Sequence, residues 1–79
     1  MARKGPKRAS AFDAHIGQQV RAKRLALGLS QTTVANVLGV TFQQVQKYED
    51  GKNRLSAGRL WQLAKLFKVP VDYFFEGLK

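Results

Sequence analysis

The chain of 79 residues contains no cysteine, which excludes disulfides and cysteine-ligated zinc and fits a reducing compartment. Its single histidine, His15, cannot form a metal site alone, and near the start of a helix it is expected to face solvent. Carboxylates are scarce, with five acidic residues against fourteen Lys and Arg. With one histidine, few carboxylates and no glycine-rich phosphate loop, no nucleophile-base pair can be assembled, and catalysis is the least favoured reading. No apolar run approaches the ~20 residues needed to span a bilayer, and the N-terminus lacks the apolar core of a secretion signal. The expectation is a soluble cytoplasmic protein with no metal, no cofactor, no membrane contact and no small-molecule ligand.

What is present is positive charge. A formal net charge of +9 and a pI near 10.5 call for a polyanionic partner, nucleic acid first, because such charge repels itself unless it meets phosphate or an acidic surface. The length holds one small helical domain, with no internal repeat and no room for a separate sensing domain. Residues 1–12 read as a flexible basic arm, in which Arg3, Lys4, Lys7 and Arg8 surround a Gly-Pro pair without an apolar face. Two roles stay open for it: a solubilising tail, or a strap along phosphates or in the minor groove. The folded domain is expected over 13–79.

A first helix is expected from an N-cap at Asp13 to about Leu27, before Gly28 stops it. Ile16, Val20 and Leu27, flanked by Leu25, form its buried stripe, and Gln18, Gln19, Arg21 and Lys23 face outward. Arg24 falls on the buried side, where an unpaired guanidinium costs several kcal/mol, so it requires a partner.

The stretch from Gln31 to Asp50 organises the rest. Val34 and Leu38 share one face of a helix that Ser30 caps, and Leu29 can staple its first turn to Val34. Ala35 allows two helices to cross closely, Gly39 turns the chain with positive φ, Val40 plugs the corner, and Thr41 caps the next helix. With Val45 inward and about 100° per residue, Tyr48 and Glu49 fall within roughly 60° of it and Gln43 and Lys47 on the opposite side. Gln44 and Gln46 lie on the flanks and Phe42 at the boundary. Ser56 caps a further helix with an inward stripe of Leu60, Leu63, Ala64 and Phe67 and with Trp61 on its margin; Val69-Pro70 breaks the chain before a short last helix, VDYFFEGL.

Gln31, Ala35, Gly39, Val45, Tyr48 and Glu49-Asp50-Gly51 resemble the pattern of the helix-turn-helix family of phage repressors, Cro proteins and related bacterial regulators, also known as the xenobiotic response element family. The likeness runs from Ile16 to Phe74-Phe75-Glu76-Gly77. It implies an all-α, compact five-helix, lambda-repressor-like domain whose second and third helices form the motif. The implied function is a sequence-specific, double-stranded DNA-binding transcriptional regulator, a repressor that acts as a homodimer on a palindromic operator with recognition helices ~34 Å apart. The alternatives are a DNA-binding antitoxin or a cofactor protein with a protein partner, which use the same fold, and a general nucleoid or RNA binder, which the charge permits and the missing aromatic platform disfavours.

The resemblance also assigns residues. Base-reading positions map onto Phe42, Gln43, Gln44 and Lys47; exposed glutamine suits adenine and lysine suits guanine or phosphate. Phe42 departs from the polar residues common there and either packs on a thymine methyl or covers the core edge. Gln31 at the first helical turn, Thr41 at the recognition-helix entrance and Lys52, Asn53 and Arg54 in the following loop are implied backbone contacts. Arg24 is implied to pair with Glu49 and to turn its guanidinium towards phosphate. Tyr73, Phe74, Phe75 and Leu78 either close the core or make a two-fold dimer contact.

Overall fold

A hydroxyl starts every α-helix of the computed structural model, which describes residues 10–78. Helix α1 spans Ala11–Ala26, α2 Gln31–Leu38, α3 Phe42–Glu49 and α4 Ala57–Phe67. Ser10, Ser30, Thr41 and Ser56 adopt extended backbone and accept from the N–H of Asp13, Thr33, Gln44 and Arg59 respectively. Each such cap satisfies an orphan N–H and is worth about 1 kcal/mol. The basic arm residues Arg3, Lys4, Lys7 and Arg8 lie outside the described residues.

Two boundaries differ from those expected. Ser10, not Asp13, caps α1, and Asp13 is the third residue of a capping box: its Oδ2 accepts from the Ser10 N–H and from the Ser10 hydroxyl, both at 2.9 Å. A reciprocal pair satisfies two donors where an Asp cap would satisfy one. At the other end α1 stops at Ala26, and Leu27, expected to be buried, is its C-cap and 47% exposed. Once the chain leaves the helix at Leu27, the 3.6-residue spacing no longer aims that side chain at the core.

The class is all-α among the described residues, but the last segment is not a fifth α-helix. Val71–Phe75 is a 3-10 helix with no side-chain cap, held by an i to i+3 bond from the Tyr73 N–H to the Pro70 carbonyl at 3.0 Å. Phe74 from this segment is fully buried against Phe67 and Tyr73, with ring centroids 6.2 and 5.4 Å away. It closes the core and is removed from the expected dimer surface.

Val20, Val34, Leu38, Val45, Leu63 and Phe74 form the middle of one continuous core shared by all five elements. Gly39 sits at φ 74°, and the N–H groups of Gly39 and Val40 both return to the Ala35 carbonyl, at 2.8 and 3.0 Å. That αL turn fixes the angle between α2 and α3. Long-range links then tie α1 to the chain end. His15 Nε2 lies 2.6 Å from the Glu76 carbonyl, the Gln19 amide donates to the Tyr73 carbonyl at 2.9 Å, and Lys23 stands over the Tyr73 ring at 5.1 Å. His15, Gln19 and Lys23 are thus anchors rather than the outward side chains expected; their partners lie at least fifty residues away, beyond the reach of local periodicity.

Candidate nucleic-acid interface

The outer side of α3 is exposed to solvent. Val45, Tyr48 and Glu49 are buried, which forces Gln43, Gln46 and Lys47 outward and leaves Gln44 half-buried. Phe42, at the first turn of α3, is 45% exposed. An aromatic ring, three amides and an ammonium therefore lie on a helix only eight residues long, narrow enough to enter a major groove.

The far end of α3 is clamped from behind. Arg24 Nε donates to Glu49 Oε2 at 2.6 Å, Nη2 to Oε1 at 3.1 Å, and Nη1 to the Leu29 carbonyl at 2.9 Å. The pair is buried, with 9% and 2% of the two side chains exposed. Glu49 Oε1 also accepts from the Gln31 amide at 3.0 Å. Four parts of the chain converge there: the end of α1, the loop after it, the start of α2 and the end of α3. Because every nitrogen of Arg24 is engaged inside the protein, Arg24 works here as a fastening and does not present its guanidinium to solvent. Gln31 has one amide N–H committed to Glu49 and one left over, so its orientation is fixed by the same carboxylate.

A second fastening lies beyond α3. In the loop 51–55, Lys52 is exposed, Asn53 half-buried and Leu55 buried, and Arg54 reaches back to α1, its Nε 3.2 Å from Asp13 Oδ1. Burial pushes the Asp13 carboxyl up, but bonds from the Ser10 backbone, Arg54 and the Ser10 hydroxyl outweigh it and hold the group below its ordinary value. Arg59 supplies a cap that local sequence patterns do not reveal, donating from Nη1 to the Leu38 carbonyl at the end of α2. Its signal is a basic residue near an unsatisfied helix C-terminus, visible only once α2 and α4 are packed.

The assembled surface offers donors, acceptors and positive charge. Among the described residues no group of three His, Cys, Asp or Glu side chains could hold a metal ion, and no helix is long and apolar enough to cross a membrane. Of the C-terminal residues expected at a dimer contact, Phe75 is 42% exposed, whereas Tyr73 and Leu78 are half-buried.

The sequence profile of the Helix-turn-helix family matches residues 20–74. An uncharacterized transcriptional regulator in the ATPase CF(0) region of Rhodospirillum rubrum is 58% identical over 67 residues, covering 85% of this chain and 62% of that protein. An uncharacterized HTH-type transcriptional regulator of Sinorhizobium fredii is 57% identical over 67 residues, covering 85% of this chain and 47% of that protein. The chain thus spans about half the length of the curated relatives it matches. Among solved structures, the restriction-modification controller protein C.AhdI of Aeromonas hydrophila superposes with a TM-score of 0.76 at 30% identity, covering 84% of this chain and all of that one.

Proposed function

From the premise that this chain belongs to the helix-turn-helix family, we propose that it is a sequence-specific regulator of transcription, a repressor that binds double-stranded DNA as a homodimer on a palindromic operator. The observation that carries this reading is the division of α3: Val45, Tyr48 and Glu49 buried, and Phe42, Gln43 and Lys47 exposed in front of them. A short helix braced from behind and polar in front suits insertion into a major groove.

In that pose Gln43 and Lys47 read base edges, Gln44 reads from the flank, and Phe42 lies against a thymine methyl. Gln31 and Thr41 approach one phosphate strand, and Lys52, Asn53 and Arg54 the other side of the helix. Arg24 contributes indirectly, by holding Glu49 and through it Gln31. The second copy is contacted through Phe75, with Tyr73 and Leu78 at the margin. The arm residues Arg3, Lys4, Lys7 and Arg8 add sequence-independent contacts to phosphate.

Binding-site selection from random duplex DNA, repeated at two salt concentrations, tests the reading. A palindromic site with a large specificity ratio is expected. Uniform affinity for all sequences, falling steeply with salt, would show a general nucleoid binder instead.

A further inference from the structure

Arg54 is unusual among the basic residues around α3 because it is both exposed and tethered. Its side chain is 72% exposed, yet Nε lies 3.2 and 3.3 Å from the two oxygens of Asp13, whose side chain is only 6% exposed. Among the described residues the two Nη atoms of Arg54 make no hydrogen bond. A guanidinium is planar, so fixing Nε against a carboxylate fixes the plane and the direction in which both Nη groups point.

Asp13 is itself held. The Ser10 N–H and hydroxyl donate to Oδ2, and the Ser10 hydroxyl accepts from the Asp13 N–H at 3.2 Å, so the carboxylate is part of the first turn of α1. The loop carrying Arg54 is also pinned. A Cβ on Gly51 would stand 2.6 Å from the Ala14 Cα, one residue beyond Asp13, and Leu55 is buried in the core on the other side of Arg54. The loop meets α1 at Gly51–Ala14 and at Arg54–Asp13, and the Nη end of the Arg54 fork is left over at the second of these contacts.

We propose that Asp13 is a positioning residue for DNA binding: from the start of α1 it orients the guanidinium of Arg54, so that both Nη groups meet a backbone phosphate. This rests on the reading that Arg54 contacts DNA. The buried carboxylate does not repel that phosphate strongly, because three donors from Ser10 and Arg54 already surround its charge. Arg54 bridges the carboxylate and the phosphate with separate nitrogens of one rigid plane, whereas lysine has its three donors on a single nitrogen and cannot hold that spacing.

A double-mutant cycle on the full chain tests this, using a short duplex of arbitrary sequence, since a phosphate contact does not depend on operator identity. Affinity and its salt dependence are measured for wild type, Asp13→Asn, Arg54→Ala and the double variant, at a temperature where circular dichroism shows each folded. Arg54→Ala is expected to weaken binding and lower the salt slope by about one. Asp13→Asn is expected to weaken binding about two- to five-fold, the size of a charge pair of this exposure, only when Arg54 is present. Asp13→Glu should restore part of the loss. Equal losses from Asp13→Asn with and without Arg54 would reduce Asp13 to a structural role. No loss from Asp13→Asn alongside a loss from Arg54→Ala would leave Arg54 a contact that Asp13 does not position. An unaffected Arg54→Ala variant would overturn the underlying contact itself. Should Asp13→Asn not fold, Arg54→Lys takes its place, and it must lose affinity while keeping its charge, or the proposal fails.

Discussion

Gly17, in the middle of α1, faces the carbonyl oxygens of Tyr48 and Glu49, the last two residues of α3. A Cβ built on Gly17 would stand 2.8 Å from the Glu49 oxygen and closer still to that of Tyr48. Both obstacles are backbone, so neither can swing aside, and the absence of one side chain sets how near α1 lies to the end of α3.

The sign of Gly17→Ala follows from two opposing effects. In an exposed helix the exchange gains about 1 kcal/mol from propensity. Here it forces two helices apart, and overpacking of this kind costs about 1–3 kcal/mol. The clash against rigid backbone prevails, so Gly17→Ala should lower Tm in a thermal melt by several degrees. An increase in Tm would show that the two helices separate freely.

Arg24→Met should be among the most destabilising single changes outside the apolar core. It leaves the buried Glu49 carboxylate with the Gln31 amide as its remaining side-chain donor. Breaking one partner of a buried pair costs about 3–5 kcal/mol, whereas replacing both by apolar residues is often neutral. Urea unfolding should therefore show Arg24→Met with Glu49→Leu to be much more stable than Arg24→Met alone.

Stability should fall in acid partly through Asp13. Its carboxyl is held below its ordinary value in the folded chain by the Ser10 backbone, Arg54 and the Ser10 hydroxyl, against the opposing effect of burial. The unfolded chain therefore takes up this proton first as pH falls. The contribution is complete above a pH of about 4 and is lost as pH drops through the lowered folded-state value. Melts across the acid range should show wild type losing Tm more steeply below pH 4 than Asp13→Asn. Parallel curves would remove Asp13 from the acid response.

The second and third helices were readable in the sequence because each decision there is local. Ser30, Thr41, Gly39 and Ala35 act on atoms within a few residues, and the rotation that buries Val45 and Tyr48 also exposes Gln43 and Lys47. The first helix was misplaced by three residues because Ser10 and Asp13 are both cap formers, and their reciprocal bonds decide between them. The clamps at Asp13–Arg54, Arg59–Leu38 and His15–Glu76 join residues 41, 21 and 61 positions apart. No periodicity encodes these links. Phe74 looked available for a partner because a short apolar segment reads the same whether it docks on its own core or on a second copy.

If the exposed face of α3 reads DNA bases, Gln43 on that face governs discrimination at one of them. The measurement is the affinity of wild type and Gln43→Ala for the selected site and for each single-base variant of it, at one salt concentration. Gln43→Ala is expected to lose about 1–3 kcal/mol on the preferred site and to stop discriminating at one base position in each half-site, with the salt slope unchanged. Affinity and discrimination equal to wild type at every position would contradict base reading by Gln43.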